Sequence, residues 1–483
     1  MRIKVVLHYL GLLIAILGAS MLLPLALSLY YREADYLAFV ISIGLSVGSG
    51  LLFWRLTPTG KGRLSRREAM MLVAGGWILA SVFGALPYIF AGIFQNYLNA
   101  YFEAMSGFTA TGATVITDVA SQPHGILLWR SLTQWLGGMG IITLFVALFP
   151  ILGIGAARLV EAEMPGLQTE RLTARIRDIV KAVWLLYLGF SGLEFILLCI
   201  ARMPVFDALT VTFSTMATGG FTPTNLSIGA YNSQFIEGIV ILFMIIAGVN
   251  FGLYYYLLWK RQPEHMFGNS EFRLYIILLI GASLFITLNL INSMGLSIGE
   301  AFRQGSFQAV SIMTTTGFAT ADFNTWPAFA KSALLILMVI GGSAGSTAGA
   351  IKVIRLLVVV KYIYRRILLA FNPRTIVPLK VGGNVLSERI ISGIIGMTIL
   401  YVGILITASL IMTALGLDQV TALSSVAANM GTVGPGLGLV GPAANYLIIP
   451  DLGKVVLILC MLVGRLELFT VLVLLTPSFW KWR

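Results

Sequence analysis

Charge is scarce in this chain. Only 11% of its 483 residues are Asp, Glu, Lys or Arg, and 58% are hydrophobic. Soluble domains carry about 25% charge and 45–50% apolar residues, so a water-soluble globule is excluded. There are two cysteines, Cys199 and Cys460, and both lie inside apolar runs, which rules out a disulfide framework and a thiolate metal centre. The three histidines, His8, His124 and His265, are too scattered to form a metal site. No G-x-x-x-x-G-K-[ST] motif or phosphate-binding βαβ pattern is present, so no nucleotide is expected on this chain. No intramembrane His/Glu cluster or Ser–His pair offers catalytic chemistry, so an enzyme is not expected.

What remains is a series of apolar runs of membrane-spanning length, with a mean hydropathy of +0.91. The expected fold is an all-α polytopic membrane protein. It has two N-terminal spans followed by four span–short helix–span repeats around one axis, giving about ten spans and four re-entrant loops. The expected segments are 1–68 (two spans and a basic loop), 69–176, 177–270, 271–383 and 384–483. The apolar run after Met1-Arg-Ile-Lys4 is read as a retained first span rather than a signal peptide, because no cleavage pattern closes a short core. The net charge of +12 comes from basic clusters between spans: Arg55 to Arg67, Arg158 to Lys181, Lys260 with Arg261, and Lys352 through Arg389. That distribution is the positive-inside signal and calls for lipid headgroups, not nucleic acid. It puts both termini in the cytoplasm and the four loops outside.

Four stretches share one pattern: Ser106 to Gly112, Ser214 to Gly220, Ser311 to Gly317 and Ala428 to Gly434. Each begins with a small residue, has Phe or Met two later, and reaches Gly at the sixth step. The final glycines stand 108, 97 and 117 residues apart. Apolar segments too short to span precede each loop, and Asp207, Glu300 and Asp418 lie near the starts of three of them, where carboxylates suit a helix N-terminus. Non-helical backbone at membrane depth is tolerated only when it is buried or lines a water-filled path. Four small-residue loops around one axis can offer backbone carbonyls to a dehydrated cation. Glycine reaches the φ > 0 such a loop requires. The candidate cation-filter residues are Thr109, Ala110, Thr111 and Gly112; Thr218, Gly219 and Gly220; Thr315, Thr316 and Gly317; and Thr432, Val433 and Gly434. In the second loop Gly220, not Gly219, aligns, because Phe221 matches Phe318.

These loops, together with Gly341-Gly-Ser-Ala-Gly-Ser-Thr-Ala-Gly-Ala-Ile-Lys-Val-Ile-Arg355, resemble the Trk/Ktr/HKT superfamily of potassium transporters over essentially the whole chain, and most closely its bacterial TrkH/TrkG membrane subunits. The resemblance implies potassium as the transported ion, with Gly112 in the first loop associated with K⁺ over Na⁺. It implies location in the cell inner membrane, a homodimer, and a cytosolic TrkA-type nucleotide-binding ring as partner. It also implies that segment 341–350 is an intramembrane gate, with Gly341, Gly342, Gly345, Gly349 and Arg465 as gate residues. Ala348 and Ala350 stand where many relatives carry glycine. The competing mechanism is an ion-coupled, alternating-access symporter. Lys352 is expected to snorkel, Glu194 to be held by polar neighbours, and Arg465 and Glu467 to lie within one continuous last span; Glu103 is a candidate for the permeation path.

Overall fold

The computed structural model describes residues 2–57, 64–140 and 173–481. The end of the first repeat's expected second span, from residue 141, and most of the charged connection after it lie outside these residues. The first span is Ile3–Ser20 continued by Leu22–Tyr31, and the second is Tyr36–Leu56. The two pack closely because small residues meet: a Cβ on Gly11 would stand 2.7 Å from the Gly50 carbonyl oxygen. The next helix, Arg66–Gly84, opens on a capping box. The Ser65 hydroxyl accepts from the Glu68 N–H, and the Glu68 carboxylate accepts from the Ser65 N–H at 2.8 Å.

Six described helices are long and apolar enough to cross a membrane, or up to eight if each bent pair is one span. Between them lie four short helices: Tyr97–Phe108, Val205–Met216, Ile298–Met313 and Gln419–Met430. The 12-residue helices rise only about 18 Å and the 16-residue Ile298–Met313 about 24 Å, under a hydrocarbon thickness of about 30 Å. Polar side chains start three of them. Asn96 accepts from the Leu98 N–H, Ser297 from the Glu300 N–H, and Asp418 from the N–H groups of Val420 and Thr421. Asp207 instead accepts from the Tyr231 hydroxyl at 2.9 Å.

The second spans depart from expectation. Only the third repeat was expected to break, between Ala328–Val339 and Val353–Phe371. Two others break as well. Gln234–Gly248 turns by 98° into Phe251–Leu258, and Asp451–Arg465 turns by 112° into Phe469–Leu475. Asn250 starts the first continuation by accepting from the Gly252 N–H. Glu467 and Leu468 take left-handed backbone at the second break, with φ of 54° and 57°. The last span is therefore not continuous, and Arg465 and Glu467 sit on a corner. A two-residue hairpin through Gly382 and Gly383, both at positive φ, joins strands Lys380–Val381 and Asn384–Val385.

Candidate functional site

All four short helices end in the same way. The carbonyls of Ser106, Ser214, Ser311 and Ala428 accept from the N–H groups of Thr111, Gly219, Thr316 and Val433 at 2.8, 2.8, 2.9 and 2.7 Å. One residue earlier, the N–H groups of Ala110, Thr218, Thr315 and Thr432 donate to Gly107, Thr215, Ile312 and Asn429 at 2.9, 2.9, 3.0 and 3.2 Å. This paired closure is a Schellman motif, which needs a left-handed residue. Ala110, Thr218, Thr315 and Thr432 supply it, with φ of 52°, 52°, 57° and 53°. Each carries a strain of order 1 kcal/mol, because none is glycine. Two residues later φ is positive again, at Gly112 (83°), Gly220 (87°), Gly317 (78°) and Gly434 (98°). The residue between has ordinary negative φ. Alternating handedness turns successive peptide planes so that their carbonyls can share one side, which a uniform helix or strand does not allow.

The four loops close into a ring in chain order. A Cβ on Gly112 would collide with the Gly219 carbonyl, one on Gly220 with that of Thr316, and one on Gly317 with that of Val433. One on Gly434 would stand 2.7 Å from the Thr111 carbonyl oxygen, which returns to the first loop. Side chain here is excluded by crowding as well as by φ.

The threonine hydroxyls are used unevenly. Those of Thr109 and Thr111 bond each other at 2.7 Å, as do those of Thr314 and Thr316 at 2.8 Å. That of Thr218 donates to the Ala217 carbonyl, and that of Thr432 is buried with no hydrogen-bond partner among the described residues.

Residues outside the motif stitch neighbouring loops. Gln134 grips the second loop at both ends, donating to the Gly219 carbonyl at 2.6 Å and accepting from the Phe221 N–H at 3.1 Å. Glu103 and Arg130, 0% and 2% exposed, form an ion pair at 2.9 Å. Ser227 and Gly229 hold Ala319, joining loops two and three. Asn324 exchanges two bonds with Gly438, at 2.9 and 2.8 Å, joining three and four. Tyr446 joins four to one: its hydroxyl donates to the Gly434 carbonyl at 2.7 Å and its N–H to the Thr114 carbonyl at 2.8 Å. Farther out, the Asn225 amide donates to Asp118 at 3.0 Å and holds that carboxyl below its usual pKa range.

On one side of the ring, residues C-terminal to the glycines line a cavity of about 120 Å³ that includes all four glycines, Thr114, Thr222, Asn225, Arg130 and Tyr446. On the other, segment 341–350 packs against the helix ends. The Gly349 N–H donates to the Thr315 hydroxyl at 2.8 Å, and a Cβ there would collide with the Thr432 hydroxyl. Gly341 bridges to Ile351 at 3.0 Å, Gly342 abuts the Gly248 carbonyl, and Gly345 takes φ of 75° beside Asn250. Ala350 holds φ of 53°, a conformation that favours glycine. The Arg465 guanidinium crosses this layer. It donates to the Thr347 carbonyl at 3.0 Å and to those of Gly137 and Gly138 at 2.6 and 2.7 Å. Glu271 accepts from Ala344 and Ile354, N–H groups at the two sides of the segment, at 2.7 and 3.1 Å.

Three expectations are corrected here. Lys352 does not snorkel: it is 8% exposed, and its ammonium donates to the Ala348 carbonyl. Glu194 is fully buried, but neither carboxyl oxygen accepts a hydrogen bond among the described residues; the Thr215 hydroxyl donates to the Val211 carbonyl instead. Glu103 stands behind the first loop, outside the cavity lining, and Arg130 is the member of the pair that reaches the cavity. Glu467, at the corner beside Arg465, pairs with Arg355. The sequence signal for Arg130, Gln134 and Tyr446 was weak: single polar residues, far from the loops they touch.

The fold and site define a mostly helical membrane protein in which four short helices end in loops whose glycines abut one another in a ring. The TrkH family model, described as a cation transport protein, matches residues 38–482. The Trk system potassium uptake protein TrkH of Salmonella typhimurium is 38% identical over the full length of both chains. The Trk system potassium uptake protein TrkG of Escherichia coli K12 is 31% identical over 99% of each. The crystal structure of the potassium transporter TrkH from Vibrio parahaemolyticus matches with a TM-score of 0.90 at 35% identity, covering all of both chains. The chain belongs to the TrkH/TrkG family.

Proposed function

We propose that this chain takes up potassium ions across the cytoplasmic membrane through the ring at Gly112, Gly220, Gly317 and Gly434. The observation that carries this reading is the closure of the ring: each glycine abuts the carbonyl preceding the next loop's glycine, and the fourth returns to the first. Such a ring can replace the hydration shell of a monovalent cation with neutral oxygens. The potassium named for the TrkH and TrkG relatives supports the choice of ion. Uptake is driven by the membrane potential, about 2.3 kcal/mol per elementary charge per 100 mV. Both termini lie on the cytoplasmic side, and the chain performs transport, not catalysis.

Segment 341–350 and Arg465 form the gate. The contacts of the segment with the Thr315 and Thr432 ends of two loops support a place across the ion's path, where the Arg465 guanidinium, a fixed positive charge, would raise the barrier to a cation. A homodimer served by a cytosolic nucleotide-binding ring of the TrkA type would move the segment, with the nucleotide on the partner. One central ring built from four units supports a channel-like path over alternating access, which usually rests on paired inverted repeats. Planar-bilayer recording of the reconstituted chain tests this. Discrete openings in K⁺ are expected, with a reversal potential that shifts toward Na⁺ in Gly112→Ser. Smooth, slow flux without unitary steps would instead establish alternating access.

A further inference from the structure

We propose that Glu103 and Arg130 are positioning residues for ion discrimination, acting through the first two loops; this rests on reading the ring as the filter. The pair is the buried charged contact behind the ring. The Glu103 carboxylate accepts from the Thr114 hydroxyl at 2.9 and 3.1 Å, from the Val115 N–H at 2.9 Å and from Arg130 Nε at 2.9 Å. Arg130 then donates to the Thr222 carbonyl and the Thr114 hydroxyl, both at 3.3 Å, and lies 4.1 Å over the Phe221 ring. Two residues after Gly112 and two after Gly220 are thereby tied to one salt bridge.

The physics favours a role in geometry over a role in stability. A buried ion pair seldom stabilises a fold beyond what apolar packing would, because desolvation offsets the attraction. What it does supply is directional bonds with little freedom. Carbonyl oxygens that face one axis repel each other, and a filter separates ions by sub-ångström differences in cage size. A scaffold must therefore hold each loop to within about 0.5 Å. The other seams of the ring use neutral groups: Ser227 and Gly229, Asn324, and Tyr446. Among the described residues the first seam is the one that carries a salt bridge, and it flanks Gly112. The pair is also neutral as a whole, so Arg130 can border the cavity without adding net positive charge to a cation's route.

Two substitutions separate these effects. Glu103→Gln removes the charge balance and leaves Arg130 unpaired, whereas Thr114→Val removes only the bridging hydroxyl and leaves both charges in place. Each full-length variant is reconstituted in lipid vesicles, and K⁺/Na⁺ permeability is read from bi-ionic reversal potentials, with rubidium-tracer flux measured alongside. Glu103→Gln is expected to lower the K⁺/Na⁺ ratio by about tenfold, equivalent to about 1.4 kcal/mol, and to reduce flux. Thr114→Val is expected to lower the ratio by roughly threefold with flux preserved, since the hydroxyl's bonds to Glu103 and Arg130 are lost while the ion pair itself remains. Glu103→Asp should recover part of the ratio. Reduced flux with the parent's ratio in Thr114→Val would overturn the proposal, as would an unchanged ratio in Glu103→Gln; if Glu103→Gln does not fold, Thr114→Val alone decides. Gly112→Ser is run in parallel: if it too leaves the ratio unchanged, the filter reading has failed; if it shifts while the others do not, only the positioning role has.

Discussion

The ring and the segment beneath it are both irregular backbone among apolar helices, yet they are held in different ways. In the ring, each loop is closed by its own helix through two backbone bonds, and the same closure occurs four times. The segment 341–350 occurs once. It takes scattered backbone bonds, such as Gly341 N–H to the Ile351 carbonyl and Ser343 N–H to the Gly248 carbonyl, and it leans besides on side chains of distant elements: Arg465 on the Thr347 carbonyl, Glu271 on the Ala344 N–H, and Thr315 on Gly349. Backbone closure fixes a geometry for as long as the helix exists. Side chains can release their partners while the helices around them stay folded. The difference suits the proposed roles, a filter ring that keeps its dimensions and a gate segment that moves.

The largest test of this contrast is Gly317→Ala. The added methyl meets the Val433 carbonyl at a positive φ, with no free space to take it. Rubidium-tracer uptake should fall to background while the protein still elutes as a single folded species; uptake at the parent's level would show that the ring is looser than described. Next comes Arg465→Gln, which removes a fixed charge and weakens three bonds. Flux without any cytosolic partner should rise by roughly tenfold, about 1.4 kcal/mol of lost restraint. No rise would remove Arg465 from the gate.

Glu271→Gln keeps the side chain's shape but turns charge-assisted bonds into neutral ones, a loss of about 1 kcal/mol. Open probability in single-channel records should increase by a factor of about five, with unchanged K⁺/Na⁺ reversal potential; a change in selectivity instead would mean that the segment shapes the ring. The smallest effect is expected from Ala350→Gly. Relief of the left-handed strain, of order 1 kcal/mol, is partly offset by greater freedom in the unfolded chain. A rise of at most a few degrees in detergent melting temperature is expected, and a clear fall would contradict the strain.

Much of the ring was legible in the sequence. The glycines at the sixth step, the choice of Gly220 over Gly219, and the short helices agree with the structure to within a few residues. The repeat's leading small residue was legible as a pattern but not as a cause: it is the carbonyl that closes the Schellman motif. The left-handed Ala110, Thr218, Thr315 and Thr432 carry no mark in sequence, since alanine and threonine seldom adopt that conformation and tertiary packing imposes it. The bends after Gly248 and Arg465 were missed for a related reason: Asn250, Arg465 and Glu467 stand at the corners, but apolar residues resume directly after them, so each run reads as one span. Glu103–Arg130 and Tyr446–Gly434 are contacts made by tertiary folding, and no local periodicity encodes them. Lys352 was misread because a lysine near a span end commonly reaches water, and here the segment folds over it instead.

Because one chain supplies all four corners of the ring, a single codon change alters one corner and leaves three intact. In a ring of identical subunits the same change would strike every corner together. The fourth corner, where Val433 and Pro435 flank Gly434, is what such piecemeal change can produce. On the proposed filter reading, a one-chain ring can thus be retuned in quarter steps, which makes ion preference a graded trait open to gradual selection.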